Sequence, residues 1–422
     1  MQILGGKVAN QISGAAIVLL IFTFLLQCSP YKQAATKAHQ HVQVLASESF
    51  HGRGYQYDGH LLASQYIQQQ LRKNGLSPAF NGSYTQPFEH SVNILDSAFL
   101  LWDSKPLIFG TDFLLHPSAA SHHIIGKAIP LESYTPSSTR TVLPVAFEAN
   151  LSKDQWENLS YALPQIKQTP DDLAGIFLVP KKLNHGISTS QSPLPAVFLS
   201  PELVKSNFTE HAFSLRSYSR EEKVTSENIW AEIRGKSDSV ILFTAHYDHL
   251  GQVNQAIFPG ANDNASGVSM LLSLSKYFAK KKPEKTLVFL FTSAEELGLL
   301  GSVEATRNMP IDLGKIKFLI NLDILGTGDD GVMVVNGSVY PEQFNNLQQI
   351  NEDKKLLKEV RARGEACISD HCPFHMQEVP SFYIYTLGGV AHYHDVHDTH
   401  ANLNMSYFPQ IMELLVRFVE SL

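Results

Sequence analysis

Positive charge, cysteine and long apolar runs are all in short supply in this chain, and each shortage narrows what it can do. Lysine and arginine number 33 against 40 aspartates and glutamates, for a net charge of -7. No basic cluster is larger than Lys280-Lys281-Lys282, so nucleic acid is not an expected partner. That triplet reads as the C-terminal end of a helix, where cations are favoured. Only one uncharged apolar run stands out, GAAIVLLIFTFLL at 14–26, with Lys7 upstream. It is too short to span a bilayer comfortably and fits the core of a signal peptide. The rest, with 44% hydrophobic and 17% charged residues over 422 positions, is globular. Its length suits two or more folding units, or one large domain carrying an insertion.

The three cysteines fall into two groups. Cys28 follows the apolar run directly in LLQCSP, which resembles a bacterial lipoprotein cleavage box, with Gln27 where that box has Gly, Ala or Ser. On this reading residues 1–27 are a lipoprotein-type signal peptide and 28–37 a polar tether. Lipid on Cys28 would then anchor the protein to an envelope membrane, facing an extracytoplasmic space. An ordinary secretory signal and a short membrane anchor are the alternatives. Cys367 and Cys372 remain, either as a disulfide or as free thiols flanking Ser369-Asp370-His371.

A helix is expected over 38–45. A second follows, with Leu61, Leu62, Tyr66, Ile67 and Leu71 at helical spacing, ending near Asn74-Gly75. From 96 to 225 short apolar runs alternate with Pro-, Ser- and His-rich turns, a β-rich texture with few helices. His116, His122 and His123 in it are able to bind metal, but isolated histidines of this kind are usually surface residues. From Asn228 strands and helices alternate: NIWAEIRG, VILFTAH, TLVFLFTS, KFLINLD, GVMVVNG and SFYIYT, with helical runs at 265–280, 296–307, 341–362 and 405–421. Apolar strands separated by helices predict a mixed, largely parallel sheet covered on both faces. Ligands bind outside the carboxyl ends of such strands.

Three of the chemistry-bearing residues, His246, Glu295 and Asp323, each come directly after an apolar strand. His246 and Asp248 lie in AHYDHLG, Asp263 in PGANDNASG, Glu295-Glu296 in SAEELGLLGS, Asp323 in LINLDILG and His394 in YHDVHDT. Two imidazoles and several carboxylates suit catalytic zinc with a Glu left over as base. Asp248 is placed to accept from the second ring N–H of His246. Asp263, in a tight loop opening a helix, has two oxygens with which to bridge two ions, although Asn/Asp-rich turns often only cap helices. Adjacent Glu295 and Glu296 repel each other unless cations are near.

The order HYDH, GANDNASG, SAEELGLLGS, NLDILG, SDHCPF and YHDVHDT resembles metallopeptidase family 28, the co-catalytic zinc aminopeptidases. The resemblance covers about residues 38–95 and 226–422 and implies two zinc ions per chain and peptide substrates. His246 and Asp323 would hold one ion and Glu296 and His394 the other, with Asp263 bridging and Glu295 as general base. The H-x-x-x-D-T pattern, completed by Asp398 and Thr399, selects His394, with His397 close by. The resemblance also implies a cis bond between Asp263 and Asn264, and a protease-associated-like inserted domain over 96–225. Ser369, Asp370 and His371 are candidate substrate contacts. A carboxypeptidase would need a cationic clamp, for which Arg361 or Arg363 is the available candidate. Glutaminyl cyclases share the fold but use one zinc, and a non-catalytic binding lipoprotein would have lost ligands, none of which is missing here. Side-chain preference and oligomeric state are not encoded in any motif.

Overall fold

In the computed structural model, residues 29–133, 142–162, 175–204, 209–389 and 392–422 are described. The signal-like segment and Cys28 lie outside them. The chain begins with α1 (Pro30–Leu45) and α2 (Gly59–Asn74) and enters the long strand β1 (Thr85–Trp102). Then come β2 (His122–Pro130), β3 (Val142–Phe147), β4 (Ile176–Val179), β5 (Ala196–Leu199) and a second long strand, β6 (His211–Ile233). Alternation follows: β7 (Val240–His246), α3 (Gly267–Phe278), β8 (Thr286–Thr292), α4 (Leu300–Arg307), β9 (Ile316–Leu322), β10 (Gly331–Val335), α5 (Pro341–Lys354), β11 (Val360–Ala362), β12 (Ser381–Leu387) and α6 (Phe408–Ser421).

The sheet is mixed, and its centre is parallel. β7 pairs in parallel with β8 on one side and β9 on the other, and β9 with β12. β6 joins β8 antiparallel. Every residue of β7 and β8 is buried, because both faces of these strands are covered. Ile241, Phe243 and Ala245 face a cluster with residues of α1, α2, α3 and α6, whereas Val240 and Leu242 face one with Ala305 and Phe374. The pleat thus sends alternate side chains to opposite layers.

Three expectations differ from the structure. Residues 28–37 were expected as a tether, but α1 starts at Pro30, capped by the Ser29 side chain on the Tyr31 amide. Ala38, Val42 and Leu45 then pin it to the core at helical spacing. The edges at 96 and 225 fall inside continuous strands, since β1 and β6 pair from Thr85↔Ile229 to Trp102↔Phe213. The register shifts between Leu95 and Ser97. Beyond that bulge a separate apolar cluster gathers Leu100, Trp102, Phe113, Phe177, Val197 and Leu215. The helical run expected over 341–362 ends at Lys354, and its tail becomes edge strand β11. No helix among the described residues is long and apolar enough to cross a membrane.

Candidate active site

Strand ends and two loops converge at the carboxyl edge of the parallel strands. β7 ends in His246, Glu295 and Glu296 follow β8, and Asp323 follows β9. In-register pairing sets His246 opposite Thr292, which brings these ends side by side. Asp263 comes from the 261–266 turn before α3 and His394 from the loop before α6. The Asp263–Asn264 peptide is cis. Ile324 and His394 take left-handed φ of 59° and 54°. A β-branched residue rarely adopts that region, and such strain collects at functional sites.

Asp263 stands between the two imidazoles. Its Oδ1 is 3.2 Å from His246 Nε2, and its Oδ2 is 3.1 Å from His394 Nε2. Asp323 Oδ1 lies 3.3 Å from His246 Nε2, and Glu296 Oε2 lies 3.2 Å from His394 Nε2. These separations exceed the roughly 2.7–2.9 Å of a charge-assisted N–H···O bond. They match the edge of about 3.3 Å between two ligands of one tetrahedral zinc bound at about 2.0–2.1 Å. The imidazole and carboxylate donors are those zinc takes, so the residues present fit the metal that the resemblance implies.

The charge balance points the same way. Asp248, Asp263, Asp323, Asp370 and Asp398 are buried, with Glu295 and Glu296 beside them. Facing them are His246, His249, His394 and the buried guanidinium of Arg53. So many carboxylates in one low-dielectric site are costly without cations. The two glutamates divide sharply. Glu296 accepts from His249 Nδ1 at 2.7 Å and faces His394. Burial opposes its ionisation, but those imidazoles hold it at about 2. Glu295 has no hydrogen-bond partner for its carboxylate among the described residues. Burial raises it well above the usual range, and neighbouring Glu296, Asp370 and Asp323 add to the rise. Asp263 is held well below that range, against burial, by the adjacent His246 and His394 imidazoles.

Supporting contacts orient these groups. His394 Nδ1 donates to the His185 carbonyl at 3.1 Å, and the His185 amide donates back to the His394 carbonyl at 2.8 Å. This reciprocal pair fixes the ring through a loop of the 96–225 stretch. Asp398 accepts the amides of Asn262 and Asp263 at 2.9 and 3.0 Å.

The geometry corrects two expectations. The Asp248 carboxylate lies 3.8 Å from His246 Nδ1, which faces the Asp248 backbone carbonyl at 3.2 Å instead. The carboxylate accepts the amides of Glu295 and Glu296 at 3.1 and 3.4 Å, so it shapes the turn that presents both glutamates. Ser369, Asp370 and His371, expected to touch substrate, are buried behind the cluster. Ser369 donates to Asp323 Oδ2 at 2.9 Å, Asp370 bonds Thr292, and His371 Nε2 meets the Ala366 carbonyl at 3.0 Å. A disulfide between Cys367 and Cys372 brackets this segment.

Arg53 carried no recognised signal in the sequence. It is fully buried and donates to the carbonyls of Tyr247, Leu45, Pro259, Gly260 and Asp263 at 2.7–3.2 Å. Gly52 and Gly54 flank it because the backbone there presses on Gly251. A Cβ on Gly52 would come within 2.3 Å of the Gly251 carbonyl oxygen, and one on Gly54 within 2.4 Å of Gly251 Cα. The clue available was a Gly-Arg-Gly triplet in a loop between helices. The site opens into a pocket of about 250 Å³ whose outer wall is Ile324, Arg363, Ile368, Tyr383, Tyr385 and Tyr393.

Known proteins resemble this chain in sequence and in fold. The family model described as Peptidase family M28 matches residues 228–419. A probable leucine aminopeptidase of Trichophyton verrucosum is 30% identical over 219 residues, covering 46% of this chain and 55% of that protein. Aminopeptidase YwaD of Bacillus subtilis is 29% identical over 165 residues, covering 37% and 35%. The chain thus spans little more than half the length of the first of these curated relatives, and less of the second. Two solved structures share the fold. One is BSAP, a zinc aminopeptidase from Bacillus subtilis, at TM-score 0.66 and 19% identity over 92% of this chain and 94% of that one. The other is a peptidase M28 precursor from Shewanella amazonensis, at 0.68 and 18% over 92% and 95%. Residues 228–419, which hold every one of the converging His, Asp and Glu side chains, match the model of peptidase family M28.

Proposed function

We propose that this protein is a two-zinc exopeptidase that removes N-terminal residues from peptides. The observation that carries the reading is Asp263, with one oxygen turned to His246 and the other to His394. His246, Asp323 and Asp263 would hold one ion, and His394, Glu296 and Asp263 the other. Glu295 also lies within 4.8 Å of His246 and Asp323, so distance alone admits it as a ligand. Its carboxylate has no partner among the described residues and opens to the pocket, which favours the role of base.

When bound, the ions polarise the scissile carbonyl and lower the pKa of water. The protein's own groups do the rest. Glu295 takes the water proton and delivers it to the leaving amine. Asp248 keeps Glu295 in place through the backbone amide, and His185 keeps the His394 ring in register. A pocket of about 250 Å³ has room for one side chain, as removal of single residues requires. The surrounding carboxylates suit a free amine better than a free carboxylate.

Arg363 favours a second reading. It lines the pocket and donates to Tyr385 Oη at 3.3 Å, with no acidic partner among the described residues. A carboxypeptidase of the same family would use it to hold the substrate's terminal carboxylate. Digestion of a peptide library, read by mass spectrometry, separates the two. Ladders shortened from the N-terminus support the aminopeptidase. Ladders shortened from the C-terminus, abolished by Arg363→Ala, replace it with the carboxypeptidase.

Two further proposals concern the chain outside this domain. Residues 96–225 are read as an inserted, protease-associated-like unit, supported by their separate apolar cluster. The protein is read as a lipoprotein anchored through Cys28 on the extracytoplasmic side of a membrane. The disulfide favours such an oxidising space.

A further inference from the structure

The basic triplet 280–282 is not used by the peptidase site, and the fold brings it together with a second source of positive charge. A pocket of about 450 Å³ lies between α1 and the C-terminal end of α3, and Lys37, Lys276, Lys280 and Lys281 line it. Ala34, Leu272 and Met412 contribute apolar wall. A helix dipole accounts for cations at the end of α3, but not for Lys37 meeting them from another helix. Lys281 is committed to Glu420 at 2.9 Å and to the Tyr277 hydroxyl at 2.6 Å. Lys32, Lys276, Lys280 and Lys282 are exposed, with no acidic partner among the described residues. Such a concentration of lysine is unexpected on a chain of net charge -7. His41, inside the pocket, is lowered to about 4 by burial and then by Lys276, Lys37 and Lys73.

The location supplies the ligand. Pro30, the first residue of α1, also lines this pocket. The apolar run ends at residue 26, and four residues reach at most about 14 Å. Whatever apolar phase holds 14–26, or a lipid on Cys28, therefore lies within that distance of the pocket mouth.

We propose that the lysine pocket seats the phosphate of an anionic phospholipid headgroup, in the membrane to which the N-terminal segment is anchored. The inference rests on the anchored reading given above. Each lysine near an anionic bilayer favours association by about fivefold. The apolar wall accepts the glycerol and first methylenes, and the domain is held with this face against the bilayer. The catalytic pocket is lined by none of these residues, so substrate access and lipid contact do not compete.

The test uses the full chain, purified with its N-terminal segment and reconstituted in vesicles of phosphatidylcholine alone or with one third phosphatidylglycerol. Flotation reports the anchor, and lysine acetylation read by mass spectrometry reports the pocket. The expected result is flotation with both vesicles. Several-fold protection of Lys276 and Lys280 is expected only where phosphatidylglycerol is present, and it should be lost in high salt. Lys276→Glu/Lys280→Glu should keep flotation and peptidase activity, while Lys37 loses its protection. Failure to float overturns the anchored reading and this inference with it. Flotation with equal acetylation in both vesicles overturns the headgroup site alone. Protection by inorganic phosphate in phosphatidylcholine vesicles would make free phosphate the ligand, and protection growing with protein density would make it a second copy of this chain. Either outcome also overturns the lipid assignment.

Discussion

Replacing Arg53 by Met should loosen the metal site without touching a metal ligand. The guanidinium ties five carbonyls from three stretches of chain: Leu45 at the end of α1, Tyr247 after β7, and Pro259, Gly260 and Asp263 in the turn that carries the Asp263 carboxylate. Burial lowers it to about 10, against Asp263, Asp398, Asp248 and Glu296, which hold it up. It is therefore charged at neutral pH. Bonds to a charged donor contribute about 1.5–3 kcal/mol each, so five would sum to roughly 7 kcal/mol or more. The desolvation of a buried cation offsets several kcal/mol of that. Removing one side of a buried charged network costs about 3–5 kcal/mol, a large share of a stability of about 5–15 kcal/mol. Met preserves most of the volume, so the loss reports the bonds and not a cavity. Urea unfolding of metal-loaded protein should show a lower midpoint, and zinc competition with a chelator should show weaker binding, because the Asp263 turn is no longer held. Arg53→Lys, with three donors for five acceptors, should fall between. Wild-type unfolding and wild-type zinc affinity in Arg53→Met would refute the reasoning.

Other predictions follow from neighbouring contacts. Glu295→Gln should retain both metals and lose about a hundred- to ten-thousand-fold in kcat, whereas Glu296→Gln should lower zinc content. The opposite pattern would exchange their roles. Burial raises Asp248 and Asp398 to about 7. Folded-state pKa values above the unfolded ones stabilise below about 4, and that contribution is lost as pH rises through about 7. Metal-stripped protein should thus lose stability from pH 5 to 8, while zinc, which needs deprotonated ligands, binds more tightly as pH rises. The gap between loaded and stripped melting temperatures should widen over that range, and a constant gap counts against the assignment. Opening the disulfide by Cys367→Ser/Cys372→Ser should cost about 2 kcal/mol. It should also weaken zinc binding through the Ser369–Asp323 contact, as read by the same competition.

Much of the site was legible because its signals are local. An apolar strand that ends in His246, in Thr292 before Glu295, or in Leu322 before Asp323 marks both a strand and its carboxyl end. A parallel sheet then brings such ends together whatever their separation in sequence. The periodic helices were legible for the same reason, and α6 was expected within three residues of its start. What local pattern does not carry is direction. Asp248 was expected to point at His246 by its spacing of two, but the chain leaves the strand there and turns the carboxylate to the Glu295 and Glu296 amides. Ser369-Asp370-His371 looked like substrate contacts because polar residues in a loop usually meet solvent. Here the disulfide and β12 fold them under the cluster instead. Arg53 was missed because a buried cation is recognisable only by its acceptors, and four of the five lie about 200 residues away. The 28–37 stretch reads as polar, yet Tyr31, Ala34 and Ala35 pack against the core. The edges at 96 and 225 were drawn where composition changes, while the two strands run straight through both.

The central claim is that Asp263 is shared by two ions. Metal analysis of active, unchelated protein alongside Asp263→Asn tests it most directly. The account predicts two zinc ions per chain in the native protein, and loss of most of both in the variant, since an amide has one oxygen to offer where a carboxylate has two. One ion per chain in fully active native protein, or an Asp263→Asn variant that keeps two, would contradict it.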